Sequence, residues 1–131
     1  MRPYTELPGL EHLYLEESYV LDVEAHPGRI CLTLDLVLTA DHVQHRDPLP
    51  GEKYCYRHGE LRFSQVTHSL WSGQGRPPAR DVSGEVDYGN VDSFEWDESG
   101  YRLEGGWGRM QIHAAELQVV LTPTSTGAQD G

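Results

Sequence analysis

His42 and His45 stand three residues apart between Asp41 and Asp47, a donor mix that suits a cation if a third or fourth ligand joins them. His26 could join only if its hairpin end folded toward them; solvated loop histidines are the simpler account of the pair. Asp35 lies in a strand-like run beside Cys31, Thr33 and Val37. On a covered face, desolvation would raise its pKa and make it a candidate acid or base; on an open face it is an ordinary solvated carboxylate. Trp71 and Trp107, with Tyr88, fall outside the apolar pattern of the strands. Rings so placed can hold a sugar, anchor a protein partner or cover a second sheet. Arg76 and Arg80 lie in the Gly/Pro-rich stretch 72–81, which reads as a surface loop. The candidate binding residues are therefore Asp35, Trp71, Arg76, Arg80 and Trp107, and the candidate metal ligands are His42 and His45.

Other motif tests return little. Gly73-Gln74-Gly75-Arg76 lacks the spacing and the lysine of a phosphate loop, and no Gly-x-Ser-x-Gly elbow or Cys-x-x-Cys pair occurs. His68 and His113 have no partner carboxylate or nucleophile nearby in sequence. No cofactor is implied, and no motif assigns an activity.

Charge is the strongest compositional bias. Ten Lys plus Arg against 21 Asp plus Glu give a formal charge of -11. That field opposes nucleic acid and anionic membranes and favours a basic partner. Residues 53–80 carry Lys53, Arg57, Arg62, Arg76 and Arg80 against Glu60, whereas 81–104 carry eight acids against Arg102. The two segments can pair with each other or form a bipolar surface. Residues 1–15 are too interrupted by charge for a secretory leader, and no apolar run approaches a membrane span of about 18 residues. A cytoplasmic protein is expected, with Cys31 and Cys55 as free thiols inside strands.

The elements that must position these residues are strands. A turn at 97–100 sets Trp96 opposite Tyr101, Glu95 opposite Arg102 and Phe94 opposite Leu103. A second turn at Gly105-Gly106 sets Leu103 opposite Gly108, leaving Trp107 on the polar face with Glu95, Arg102 and Arg109. A third at Ala114-Ala115 sets Ile112 opposite Leu117. Upstream, Pro27-Gly28 joins 19–26 to 29–39, with Tyr19, Leu21, Val23 and Ala25 facing the same way as Ile30, Leu32, Leu34 and Leu36. A hairpin at His58-Gly59 sets Tyr56 against Leu61 and Tyr54 against Phe63, making one aromatic core face. From Gln65, Val66 and Thr67 to Leu70 and Trp71 the alternation breaks, which predicts a bulge or a new strand before the loop. Residues 40–51 read as a loop, 10–17 as the best helical candidate, and 123–131 as a frayed tail.

These elements predict one all-β domain over 1–122: an antiparallel β-sandwich or a curled sheet of about nine to ten short strands, with at most one short N-terminal helix. The charge and the missing motifs favour a non-enzymatic interaction protein, such as an adaptor, inhibitor or immunity-type protein, that captures a basic partner. The alternative is a small-molecule binder or enzyme with a pocket between the sheets or at their end. An exposed edge strand would offer a route to a dimer.

Overall fold

The computed structural model describes residues 1–73, 79–80, 86–87 and 89–123, the two short middle pieces by their backbone alone. In chain order the strands are β1 (Arg2–Pro3), β2 (Tyr19–His26), β3 (Arg29–Leu38), β4 (Cys55–Ser72), β5 (Ala79–Arg80), β6 (Val86–Asp87), β7 (Val91–Asp97), β8 (Gly100–Gly105) and β9 (Gly108–Leu121). Seven form one antiparallel sheet in the order β1-β7-β8-β9-β4-β3-β2, while β5 and β6 pair with each other. The fold is all-β. The expected helix over 10–17 is instead a turn at 11–12, a lone bridge at Leu13 and a 3-10 turn at Leu15–Glu17, with a second 3-10 turn at Tyr4–Glu6. No helix among the described residues is long and apolar enough to cross a membrane.

The seven-stranded sheet curls on itself. Phe63 of β4 lies 6.3 Å from Phe94 of β7 and 5.2 Å from Tyr101 of β8, although β9 and β8 stand between β4 and β7 in the sheet. The margins meet at one end, where the Val20 N–H donates to Gly89 O at 2.9 Å and Tyr19 bridges Asn90. Buried Leu32, Leu34, Leu36, Leu61, Phe63, Leu103, Met110 and Ile112 fill the inside. Burying one such side chain stabilises the fold by about 2 kcal/mol, so the register that places most of them inward prevails.

The β7–β8 hairpin has the register its sequence predicts, and β2–β3 follows the predicted pairing from His26 to Asp22. Beyond Asp22 an irregularity at Leu21 turns Val20 into the core opposite Leu34 and Tyr19 outward opposite Asp35. The hairpins expected at His58-Gly59 and Ala114-Ala115 do not form. Instead β4 runs unbroken for 18 residues and β9 for 14, paired with each other. Gly59 is a packing glycine, since a Cβ there would stand 2.8 Å from the Leu36 side chain and 2.9 Å from Val120 O. In β9 the inward positions change from Gly108, Met110 and Ile112 to Leu117, Val119 and Leu121. The sequence shows the same change of phase that a turn would give. It falls beside the predicted break in β4, where the ladder slips between Val66 and His68 and Gln65 has φ of 55°.

The N-terminal segment closes the curled sheet with Leu7, Leu10, Leu13 and Leu15. Buried Tyr4 fixes it: its ring stacks on Phe94 at 5.8 Å, and its hydroxyl accepts the Leu15 N–H at 3.0 Å and donates to the Glu16 carboxylate at 2.7 Å. Tyr4→Phe should cost about 1–3 kcal/mol in urea unfolding, because the buried Leu15 N–H loses its acceptor. An unchanged midpoint would show that the hydroxyl does not hold the segment.

Candidate functional site

An unbroken strand sends odd and even residues to opposite faces. In β4, Gly59, Leu61 and Phe63 point inward, so Tyr56, His58, Glu60 and Arg62 point outward. The tyrosines that a hairpin would have placed in the core therefore line the outside. Four of them form a row: Tyr14 and Tyr54 meet edge to face at 6.0 Å, Tyr54 and Tyr56 likewise at 6.2 Å, and Tyr19 lies against Tyr56 at 6.2 Å. Tyr14 is exposed and the other three are half-buried.

Asp35 is set into this row. On β3 it pairs with Tyr19 on one side and His58 on the other, one step from Val37, which pairs with Tyr56. Burial raises the Tyr56 phenol to about 12, aided by Tyr19 and by the nearby carboxylates of Asp35 and Glu17. The Tyr56 phenol thus keeps its proton at neutral pH. Lys53 lies 5.3 Å from the Tyr54 ring centroid and shows that these faces accept a cation.

The N-terminal segment is held to this face through Ser18, which is fully buried. Its hydroxyl donates to Tyr14 O at 2.8 Å and accepts the Val37 N–H at 2.9 Å, while the Tyr14 N–H donates to Val37 O at 3.0 Å. These bonds fix Tyr14 and Glu17 beside the strands that carry Tyr19, Asp35 and Tyr56. Sequence reading singled out Asp35 and missed its tyrosines. The detectable signal was parity: Tyr54 and Tyr56 are even, and Leu61 and Phe63 odd, in a run whose only break is a His-Gly pair poorly suited to a tight turn.

Of the other candidate residues, Trp107 belongs to the core and Trp71 packs against it. Trp107 is 2% exposed. The β8–β9 turn is Gly106-Trp107, so β8 pairs Leu103 with Met110 and the indole folds into the core instead of standing on the polar face. Among the described residues its Nε1–H finds no partner. Half-buried Trp71 packs against the same core and donates from Nε1 to Trp107 O at 3.0 Å. Arg76, Tyr88 and residues 124–131 lie outside the described residues, and of Arg80 only its place in β5 is described.

His42 and His45 occupy the loop after β3. The His42 Nδ1 accepts the Gln44 N–H at 3.0 Å, and burial, followed by the positive neighbours His12, Arg57 and His45, holds its pKa below the usual histidine value. No group of three or more His, Cys, Asp or Glu side chains converges to hold a metal among the described residues. The positively charged run 53–80 is not neutralised across the 81–104 segment by its described ion pairs. Arg62 bonds Glu60 at 2.7 Å within its own strand, and Arg109 of β9 bonds Glu104.

Comparison with family models, characterised proteins and solved structures returns no match for this chain.

At the far end of the outer face the Cys31 thiol donates to the Glu60 carboxylate at 3.2 Å. Burial, then that bond, pushes the thiol up to about 11. At pH 8 Cys31 should alkylate about tenfold or more slowly than an unperturbed thiol, because little thiolate is present. Glu60→Gln should quicken the reaction by removing the acceptor's charge. A rate for Cys31 equal to that of a model thiol would contradict the arrangement.

Proposed function

We propose that this protein is a non-enzymatic interaction protein that captures a basic partner on its tyrosine face, with Asp35 at the centre. The observation that carries the reading is the row Tyr14–Tyr54–Tyr56–Tyr19 packed around Asp35 and Glu17. Tyrosine offers large contact area with only two side-chain torsions to fix, and its ring face attracts guanidinium and ammonium groups. The adjacent carboxylates add charge complementarity, and the net charge of -11 steers a cationic segment toward the molecule. Arginine suits the site better than lysine, because its planar cation can stack on a ring and bond a carboxylate together.

The alternative, a small-molecule binder or enzyme, draws support from an open groove of about 480 Å³ lined by Gln65, Thr67, Trp96, Tyr101 and His113. That groove contains neither Asp35 nor His42, and its one close hydroxyl–carboxylate contact, Ser99 to Asp97 at 2.6 Å, belongs to the β7–β8 turn.

A fluorescent Arg-Gly repeat peptide titrated against the full chain tests the reading. Binding should weaken steeply with added salt. Asp35→Asn and Tyr56→Ala should each weaken it about tenfold, with far-UV circular dichroism unchanged. Equal affinity of both variants and the parent, or binding insensitive to salt, would contradict the assignment.

A further inference from the structure

The long β4 strand outruns its neighbour. Its pairing with β3 ends at Ser64 opposite Arg29, and the Val66 N–H makes a last bond to Gly28 O at 3.0 Å. On its other side β4 stays paired with β9 as far as Ser72 opposite Arg109. Residues 67–72 therefore have one paired margin and one margin that no described strand pairs. At 3.4 Å per residue this is about 20 Å of strand edge.

This edge lacks the charges and prolines that normally blunt one, although the slip between Val66 and His68 lies at its start. Charged side chains, prolines and inward-pointing ions keep natural edges from pairing with other chains. Residues 63–75 contain no Asp, Glu, Lys, Arg or Pro in a chain that is 24% charged. Leu70, in the middle of the open stretch, is 57% exposed.

We propose that residues 67–72 of β4 pair antiparallel with the same residues of a second copy, joining two sheets into one. Charge selects this occupant. Two-fold antiparallel pairing brings equivalent residues of both copies together, so a charged edge repels itself. The edge of β2 carries exposed Asp22 and Glu24 and is ruled out for self-pairing on that ground, whereas 67–72 carries no formal charge. A cationic partner finds no carboxylate on this segment and has the Asp35 face instead. The contact is short, so its affinity lies in the micromolar range expected of small interfaces.

Sedimentation velocity of the full chain, from about 1 to 100 µM, reads the proposal directly. The parent chain should shift from monomer to dimer across that range. Added salt should strengthen the dimer by screening the repulsion between two chains of charge -11, the opposite of its effect on capture of a basic peptide. Leu70→Lys puts a like charge in each copy's edge and should weaken association at least about tenfold while leaving the circular dichroism and peptide binding unchanged. A parent chain that stays monomeric throughout, or a Leu70→Lys variant that dimerises as well as the parent, overturns the proposal. Because the tyrosine face is not part of the edge, either result leaves the reading of that face standing.

Discussion

The antiparallel ladder between β4 and β9 is the interaction on which the rest of the structure depends. It pairs Gly59 with Leu121 at one end and Ser72 with Arg109 at the other. On one side β4 carries the β3–β2 hairpin, and on the other β9 carries β8 and β7. Cutting either long strand into a hairpin would leave two small sheets with no shared ladder, and isolated two-stranded pieces are at best marginally stable in water. Keeping both whole lets leucines from β3, phenylalanines from β4 and β7, and Met110 and Ile112 from β9 meet in one interior.

The same constraint decides what the outside can do. Once Leu61 and Phe63 are committed inward, period-two alternation sends Tyr56 outward, and the slip at Leu21 sends Tyr19 to meet it across β3. Tyr19, Asp35 and Tyr56 are thereby placed on strands instead of loops. Tyr14 and Glu17 come from irregular chain, but the Ser18 bonds to Tyr14 and Val37 tie them to β3. The proposed capture of a cation on this face rests on packed geometry plus charge, with Asp35 paired to Tyr19 and His58 along the strands.

Legibility in the sequence followed local signals. The turn at 97–100 and Pro27-Gly28 are bounded by clean alternation, so both hairpins could be read, including Glu95 opposite Arg102 and Ile30 opposite Ala25. The break at 65–67 was also readable. What misled was phase. A change from even to odd apolar positions can mean a turn, or a strand whose inward face slips at a bulge, and only the partner strand decides between them. β4 and β9 pair residues 37 to 62 positions apart, so no local window contains the answer. Trp107 was lost to a smaller ambiguity, since shifting the turn from Gly105-Gly106 to Gly106-Trp107 moves the indole from the polar face into the core. Asp35 stood out as a mid-strand carboxylate, and the structure places it between Tyr19 and His58. Its tyrosine neighbours were missed because they had been assigned to the core.

The measurement that bears most directly on this account is a set of NMR nuclear Overhauser contacts for Phe63 and Leu117. With β4 and β9 unbroken, the two residues are cross-strand partners, and their side chains should show strong mutual contacts. Contacts of Phe63 with Tyr54, and of Leu117 with Ile112, would instead reveal two local hairpins. The tyrosines would then lie in the core, and the face around Asp35 would not exist.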